Sequence, residues 1–376
     1  MGRFHAAPRR RILVIGPLPP PTHGVAVMTE TLLHSPLARR FEILHLDTAD
    51  RRGVANIGRL DAANLWLALV HAARFVTLLA RQRIDMVYLP ISKNSLGFLR
   101  DGLFLAPALA AGVPVIVHFH GSGFDHFARS AAMPVRMLVR LLLNRVARAV
   151  VLGEALRPML RGLVAETRIA VVPNGVADKT RGAVPSRGRG GTMRLLFLGN
   201  LLPRKGYAEL IEAVQTLLDE GIDVTVTFAG EVVDSAVHTR ALAGVRYGTD
   251  RIRFAGPVDS ATKGALLRAA DVLVLPSDDE AQPLVILEAM AAGLAVVSTR
   301  HGAIAETVVD GETGILIDTR DAGALTGVLR GLSRQPGRLA ALGAAGRARY
   351  LAHYTVEQWA DRMADMFEST GAAAGR

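Results

Sequence analysis

Short apolar runs alternate along this chain with longer segments in which apolar residues recur every three or four positions. We interpret the runs in the first half as buried strands, over 11–16, 41–46, 85–90, 113–119, 149–152 and 169–172. Helical periodicity fills most of the intervals, over 25–34, 60–83, 95–111 and 133–148. Strands and helices in alternation predict the α/β class, with a doubly wound parallel sheet.

A glycine-rich segment interrupts this pattern near the middle of the chain. Residues 179–192 read KTRGAVPSRGRGGT, with four glycines and no apolar periodicity, which is typical of a domain linker. The alternation of strands and helices restarts with the apolar run 193–198. We therefore predict a first domain over residues 1–178 and a second domain over residues 193–355.

Carboxylates concentrate in the stretch 272–298 of the second half. An apolar strand over 272–275 leads into three consecutive acids that end with Glu280, and Pro283 stands where a helix would begin. Glu288 follows in the second turn of that helix, which we expect to end at Gly293. Loops at the carboxyl ends of parallel strands bind ligands in open α/β sheets. The alternative is a solvated acidic loop with a helical glutamate paired to a lysine.

Two adjacent cations occupy a matching position earlier in the second half. Arg204 and Lys205 follow the strand 193–198 and precede a helix that begins near residue 207. An arginine fork, a lysine charge and a helix N-terminus together suit a diphosphate. A solvated loop pair is the alternative interpretation.

These features together resemble a known enzyme family. Glu280-AQPLVIL-Glu288 followed by AMAAG is similar to the E-x7-E signature of the retaining GT-B glycosyltransferases, the family-4 type. The resemblance covers nearly the whole chain and implies two Rossmann-like domains facing a cleft, with a last helix, about 356–368, that returns to the first domain. It also implies retaining transfer of a sugar from a nucleotide-sugar of the UDP or GDP type to an acceptor.

The resemblance assigns roles to the second-domain residues. It implies that Arg204 and Lys205 hold the donor pyrophosphate, that Glu288 binds the ribose hydroxyls, and that Glu280 is catalytic and binds the transferred sugar. Backbone groups of the following loop would approach the sugar and phosphates, at Ala281, Gln282, Pro283, Leu284 and Val285. Backbone around Pro257 and Val258 would contact the base. Many relatives have glycine where this chain has Ala281, so the donor sugar stays open.

Two features of the first half carry further expectations. His120 precedes Gly121 at the end of a strand, and the resemblance implies a catalytic histidine there; His118, two residues earlier, is the competing candidate. Gly24 closes the proline-rich loop 16–24, where it would let the backbone approach the leaving phosphate or the acceptor. A plain turn is the alternative. The loop is not a GxGxxG fingerprint, so no dinucleotide is implied.

Composition narrows the chemistry further. The chain has no cysteine, which excludes disulfides, iron–sulfur clusters and cysteine-ligated zinc. It has no D-x-D pair of the kind that holds a divalent ion on a nucleotide-sugar, so we expect no metal. None of its few lysines lies in a sequence context that suits pyridoxal phosphate, so we expect no organic cofactor. Leaving-group charge would then be stabilised by Arg204, Lys205 and helix dipoles.

Charge is distributed unevenly, with a net +13 over residues 1–185 and −3 over residues 186–376. The predicted helix 133–148 repeats cations at Arg136, Arg140 and Arg148, a pattern typical of a helix on an anionic membrane surface; an ordinary packed helix is the alternative. The N-terminus lacks signal-peptide features, and Gly112 and two prolines interrupt the uncharged segment 102–124. We expect a cytoplasmic protein, with the inner face of the cell membrane as its candidate surface.

Three functions remain for comparison. The first is glycosyl transfer to a glycan or glycolipid acceptor, a lipid-linked or polysaccharide intermediate. The second is a sugar-nucleotide epimerase on the same fold, which would need carboxylates from the first domain that are scarce here. The third is a basic nucleic-acid-binding protein, which the isoelectric point near 10.6 suggests. Aromatic residues amount to only 5% without a recognition motif, so we expect no nucleic-acid partner.

Overall fold

The computed structural model describes residues 9–51, 61–179, 191–233 and 235–374. The chain divides into two compact units. The first comprises Met1–Asn174 with Val356–Arg376, and the second comprises Gly175–Thr355. Most of the predicted linker, and Leu60 at the start of a predicted helix, lie outside the described residues.

The first unit is built on a six-stranded parallel sheet. Its strands are β1 Arg11–Gly16, β2 Glu42–Asp47, β3 Met86–Pro90, β4 Val115–His118, β5 Arg148–Val151 and β6 Ile169–Val171. Their order is β2-β1-β3-β4-β5-β6, so the strand order reverses between β1 and β3. Strands β1, β3, β4 and β5 are almost entirely buried, which explains why each reads as a continuous apolar run rather than an alternating one.

Helices cover this sheet. They are α1 Gly24–His34, α2 Leu37–Arg40, α3 Ala62–Arg81, α4 Ser95–Ala110, α5 Phe124–Ser130, α6 Met133–Leu143 and, from the end of the chain, α14 Val356–Ala374. Right-handed crossovers put α3, α4 and α6 on one face of the sheet and α1 on the other. The helix α14 packs against α2, where the rings of Phe41 and Phe367 meet edge to face at 5.5 Å.

The second unit contains a second parallel sheet. Its strands are β7 Met193–Leu198, β8 Val224–Ala229, β9 Ile252–Gly256, β10 Val272–Leu275, β11 Ala295–Thr299 and β12 Ile315–Ile317. The order is β12-β11-β10-β7-β8-β9, the Rossmann arrangement, in which the strand order reverses between β7 and β10. Its helices are α7 Tyr207–Asp219, α8 Ser235–Ala243, α9 Ser260–Ala269, α10 Leu284–Ala291, α11 Ile304–Thr307, α12 Ala322–Ser333 and α13 Pro336–His353.

The two sheets confirm the predicted α/β class with two Rossmann-like units. The helix predicted over 133–148 is too long, because it ends at Leu143 and Asn144 is its C-cap. Arg148 therefore lies on β5, where its guanidinium donates to the carbonyl of Thr167 at 2.6 Å. The spacing that placed Arg148 on a cationic helix face continues by coincidence through a turn. The prediction that Arg148 lies on that helix is wrong.

Smaller differences have local causes. The helix α4 continues past Pro107 and ends at Ala110. Gly112 follows shortly after this end and has a φ of 70°. The N-cap of α9 is Asp259, since the Asp259 carboxylate accepts from the N–H of Thr262 at 2.7 Å. The short helices α2, α5, α8 and α11 were not expected from the pattern.

Candidate functional site

The candidate site of the second unit lies at the carboxyl edge of its sheet. The loop after β7 carries Arg204 and Lys205, and the loop after β10 carries Glu280. These two strands are hydrogen-bonded neighbours and flank the position where the strand order reverses. A crevice opens outside the carboxyl ends of strands at such a position, so the topology explains why residues 75 positions apart in sequence come together.

Backbone contacts fasten the two loops to each other. The carbonyl of Arg204 accepts a hydrogen bond from the N–H of Asp278 at 2.9 Å and from the hydroxyl of Ser277 at 3.1 Å. Gly206 has a φ of 74°, and a Cβ there would lie 2.3 Å from the carbonyl oxygen of Pro276. Only glycine fits this close approach, since it has no Cβ and tolerates a positive φ.

Each acid of the β10 loop faces a cation. Lys205 forms an ion pair with Glu280, and both side chains are largely buried. Arg204 lies 3.5 Å from Asp279 through its Nε and stays half exposed, while Asp278 pairs with Arg320 at 2.6 Å. The predicted diphosphate-binding cations and the predicted sugar-binding acid therefore share one cluster, in which the positive charge of Lys205 is balanced by Glu280.

Glu288 lies on α10 and reaches a different partner. One carboxylate oxygen pairs with Lys263 of α9, an arrangement that the solvated-loop alternative also predicts. The second oxygen, Oε2, is buried and has no hydrogen-bond partner among the described residues. A buried carboxylate oxygen without a donor is costly, so this atom is suited to accept a hydrogen bond from a ligand hydroxyl.

Lys263 was not assigned to the site from sequence. Its position follows from α9, which begins directly after the predicted base-binding residues Pro257 and Val258. The Asp259 N-cap fixes the first turn of that helix, and Lys263 lies one turn later on the side that faces Glu288. The spacing of four residues from Asp259 to Lys263 could have placed this lysine one turn into the helix. No signal in the sequence indicated that its partner is Glu288.

The loop between Glu280 and α10 is braced by its own side chains. Ala281 and Gln282 are buried. The amide of Gln282 donates to the hydroxyl of Thr307 at 2.9 Å, and the carbonyl of Ala281 accepts from the N–H of Ala303 at 2.7 Å. Gln282 therefore holds the loop against α11.

The predicted role of this loop lies with its backbone. Pro283 is the N-cap of α10, and Leu284 and Val285 open the helix. The first N–H groups of a helix have no partner within it, so these two amides can meet an anion or a sugar hydroxyl.

Histidines gather at the carboxyl edge of the first sheet. The rings of His118 and His120 stack with centroids 4.0 Å apart, and Nδ1 of His118 shares a hydrogen bond with the Tyr88 hydroxyl at 2.6 Å. His118 is fully buried, whereas His120 is partly exposed. Of the two, His120 is the histidine that a ligand can reach.

Burial favours the neutral imidazole at His118, His120 and His23. Burial, together with the nearby His23, lowers the pKa of His120 from 6.5 to about 4. Burial and the neighbouring His120 hold the pKa of His118 well below 6.5, and burial lowers the pKa of His23. A neutral imidazole can both accept and donate one hydrogen bond.

Two further side chains border His120 and were not singled out as site residues from sequence. His23 caps α1 by accepting from the N–H of Ala26 at 3.4 Å. The aliphatic chain of Lys93 packs on Gly121, and its Nζ donates to the carbonyl of Ser122 at 3.3 Å.

The predicted residue Gly24 begins α1, and a Cβ there would meet nothing within 4 Å. No contact with the described part of the chain requires glycine at this position, so the space beside it is open to a ligand or to solvent.

No group of three or more His, Asp or Glu side chains with metal-binding proximity occurs in the described ranges. The expectation of a metal-free site rests on the sequence and stays a prediction.

Family comparisons match both units of the chain. Residues 192–335 match the family described as Glycosyl transferases group 1. Residues 18–175 match the Glycosyl transferase 4-like domain. Together the two matches cover most of both units.

Curated relatives share about a third of their aligned residues with this chain. A glycogen synthase of Mycobacterium tuberculosis is 31% identical over 205 residues, which is 53% of this chain and 48% of that protein. A phosphatidyl-myo-inositol mannosyltransferase of Mycolicibacterium smegmatis is 32% identical over 234 residues, 59% of this chain and 57% of that protein. The chain spans about half the length of the curated relatives it matches.

Solved structures share the fold at lower identity. Sucrose-phosphate synthase from Thermosynechococcus elongatus aligns with a TM-score of 0.73 at 18% identity, covering 97% of this chain and all of that one. HepE of Anabaena, solved in complex with UDP-glucose, aligns with a TM-score of 0.71 at 18% identity, covering 96% of this chain and 99% of the other. Two parallel six-stranded sheets with flanking helices, as found here, are the GT-B fold of these structures.

Proposed function

We propose that this chain, which belongs to the group 1 glycosyl transferases of the family-4 type, moves a sugar from a nucleotide-sugar donor to an acceptor with retention of configuration. The observation that carries this proposal is the cluster at the carboxyl edge of the second sheet. There Lys205 pairs with Glu280, and Arg204 lies beside the neighbouring Asp279.

The cations fit the diphosphate of a UDP or GDP donor. Arg204 keeps an exposed guanidinium, which can form bidentate hydrogen bonds to phosphate oxygens. Lys205 is held by Glu280, so a diphosphate would draw the ammonium away from the carboxylate and leave Glu280 available to the sugar hydroxyls. Charge that develops on the leaving diphosphate is then stabilised by Arg204 and Lys205, without a metal ion or an organic cofactor.

Glu288 and the residues beside it fit the nucleoside. The unpartnered Oε2 of Glu288 can accept from a ribose hydroxyl, and a carboxylate is a strong acceptor for such a donor. Pro257 and Val258 precede α9, whose Lys263 fixes the other oxygen of Glu288. Backbone groups around them would contact the base, which is consistent with the lack of a base-specific side chain in this loop.

For the first unit we propose a role in acceptor binding. His120 is neutral at neutral pH and partly exposed, so it can hydrogen-bond a sugar hydroxyl without adding charge. The acceptor is proposed to be a lipid-linked or polysaccharide intermediate in the cytoplasm. This acceptor class is supported by relatives such as the mannosyltransferase, whose own substrate is a phosphatidylinositol by name.

A donor panel with a matched pair of variants tests the proposal. Purified protein is incubated with UDP- and GDP-sugars and candidate glycan and glycolipid acceptors, and products are identified by mass spectrometry. Wild type should yield a glycosylated acceptor and free nucleoside diphosphate. Glu280→Gln keeps the side-chain size and should lower the transfer rate about 100-fold or more, because it removes the charge that faces the sugar and Lys205.

The control is Glu312→Gln, an exposed glutamate of the same unit, which should transfer at the wild-type rate. Full activity of Glu280→Gln would refute the role of Glu280. A sugar-nucleotide isomer as the product, with no acceptor modified, would identify an epimerase instead.

A further inference from the structure

Exposed large apolar side chains are concentrated on one side of the first unit. Of the thirteen such residues in the described ranges, ten belong to α3, α4 and α6. The most exposed are Trp66 on α3 and Met133 and Met137 on α6, each with more than 60% of its surface accessible. Soluble proteins rarely leave large apolar side chains exposed in a contiguous group.

The three helices form one surface. The helix α4 packs against both α3 and α6, and right-handed crossovers put all three on the same side of the sheet. We call the exposed residues of α3, α4 and α6 the three-helix face. Its members are adjacent in space although α3 and α6 are about 70 residues apart in sequence.

The charge on the three-helix face has one sign. The helices carry five arginines, at Arg74, Arg81, Arg100, Arg136 and Arg140. Their single carboxylate, Asp101, is fully buried and accepts from Arg100 and from the N–H of Ser92, each at 2.8 Å. The side chains that reach solvent from these helices are therefore apolar, neutral or cationic, with no accessible acid among them.

The helix α3 lies along the unit and does not leave it. It is the one helix in the described ranges that is long and apolar enough to cross a membrane by length and composition, and only 17% of its 18-residue apolar stretch is buried. Phe75 anchors its inner side, fully buried with its ring 5.5 Å from that of Phe104 of α4. A helix held in this way can lie parallel to a surface and contact it with its outer side.

We propose that the three-helix face binds the first unit to the surface of an anionic lipid bilayer. Trp66 and the methionines would enter the interfacial region, where amphipathic rings and flexible apolar chains are favoured. The arginines would reach the lipid phosphates, with their aliphatic stems along the apolar surface. A second copy of this chain fits less well, since it would bring cations against cations. The proposal does not depend on sugar transfer and would stand if none were found.

Vesicle binding tests the proposal with an internal probe. The chain has two tryptophans, and Trp359 is 1% exposed, so a change in emission on adding vesicles reports Trp66. Vesicles of phosphatidylcholine with an equal amount of phosphatidylglycerol should shift the emission to shorter wavelength and carry the full chain in flotation. Phosphatidylcholine alone should bind at least tenfold more weakly. Trp66→Phe should remove the spectral shift and still float.

Variants separate the two contributions. Arg136→Gln with Arg140→Gln should weaken binding to the anionic vesicles about 25-fold, at roughly fivefold per arginine. Met133→Asn with Met137→Asn should weaken it roughly tenfold. The control is Arg334→Gln with Arg338→Gln, the same charge change at exposed positions of the second unit, which should bind like wild type. All four substituted positions on the three-helix face are exposed, so the variants should unfold at the wild-type temperature. A lower unfolding temperature would distinguish a loss of fold from a loss of lipid binding.

The proposal is overturned if wild type fails to float with anionic vesicles. It is also overturned if the control double variant loses as much binding as Arg136→Gln with Arg140→Gln. A dimer in sedimentation that Met137→Asn dissociates, with no vesicle binding, would assign the face to a second copy.

Discussion

At the scale of single residues, burial changes the acid–base chemistry of two neighbouring histidines of the first unit. His118 and His120 stack at 4.0 Å, and burial lowers the pKa of both, that of His120 to about 4. The sequence context of His120 predicted a histidine at the site. It did not predict Tyr88 beneath His118, because that contact joins two neighbouring strands 30 residues apart.

These pKa shifts predict how stability depends on pH. Between about pH 6.5 and 4 the unfolded chain binds protons at His118 and His120, while the folded chain does not. The free energy of unfolding should therefore fall as the pH falls through this range, by at most about 1.4 kcal/mol per pH unit for each proton. Urea unfolding followed at several pH values measures the slope.

The variant His120→Asn should make that slope shallower, since it removes one of the groups that stay neutral in the folded state. The control is Gln82→Asn, a change at an exposed position of the same unit that involves no titratable group, which should keep the wild-type slope. A slope that His120→Asn leaves unchanged would contradict the assignment of His120 as a neutral, desolvated side chain.

At the scale of elements, strands and long helices were predictable and the ion pairs between them were not. Buried parallel strands such as β10 read as apolar runs, so the order of strands and helices follows from the pattern. Short polar helices such as α5 and α8 have little periodicity to detect. The cationic spacing of α6 extended the predicted helix too far, because Asn144 ends the helix without a glycine or proline signal.

The pairs Lys205–Glu280 and Lys263–Glu288 join loops and helices far apart in sequence. Topology predicts that the loops after β7 and β10 meet, because the strand order reverses there. Which lysine meets which glutamate depends on side-chain geometry, and no pattern in the chain encodes it. The predicted roles of these residues are therefore best tested by substituting each partner of an ion pair in turn.

The ion pair between Lys263 of α9 and Glu288 of α10 allows such a test. Glu288→Gln keeps the side chain in place but removes the charge from the unpartnered oxygen. If Glu288 accepts from the ribose hydroxyls, the affinity for UDP or GDP should fall about 10- to 100-fold, as expected for a hydrogen bond to a charged group. Isothermal titration calorimetry measures the affinity.

A nucleoside diphosphate that lacks both ribose hydroxyls provides the control for this variant. It should bind wild type weakly and Glu288→Gln equally weakly, since the contact in question is already missing. If the variant weakens both ligands by the same factor, Glu288 acts on the fold of the site and not on the ribose. Lys263→Met should weaken binding of the complete nucleotide as well, because it leaves Glu288 without its ion pair.

At the scale of the whole molecule, the chain closes its first unit with its last helix. Residues of α14 belong to the same compact unit as Met1–Asn174. Trp359, Met363 and Phe367 are buried there, and the ring of Phe367 meets both Phe41 and Tyr88 edge to face. Ion pairs from Arg40 to Asp361, Asp365 and Glu368 line the rim of the same contact. The stability of the first unit should therefore depend on the end of the chain.

Replacing Phe367 tests this dependence. Phe367→Ala should lower the stability of the first unit by about 3–5 kcal/mol, the usual cost of removing a fully buried phenylalanine. Hydrogen exchange should show faster exchange in β1, β2 and β3, because Phe41 and Tyr88 lose their packing partner. Strands β7 to β12 should exchange as in wild type, since the second unit has its own core. Leu351→Ala, at a position 47% exposed in the second unit, is the control and should change neither. Uniformly faster exchange in both sheets would contradict a local role for α14 and would mean that the two units unfold as one.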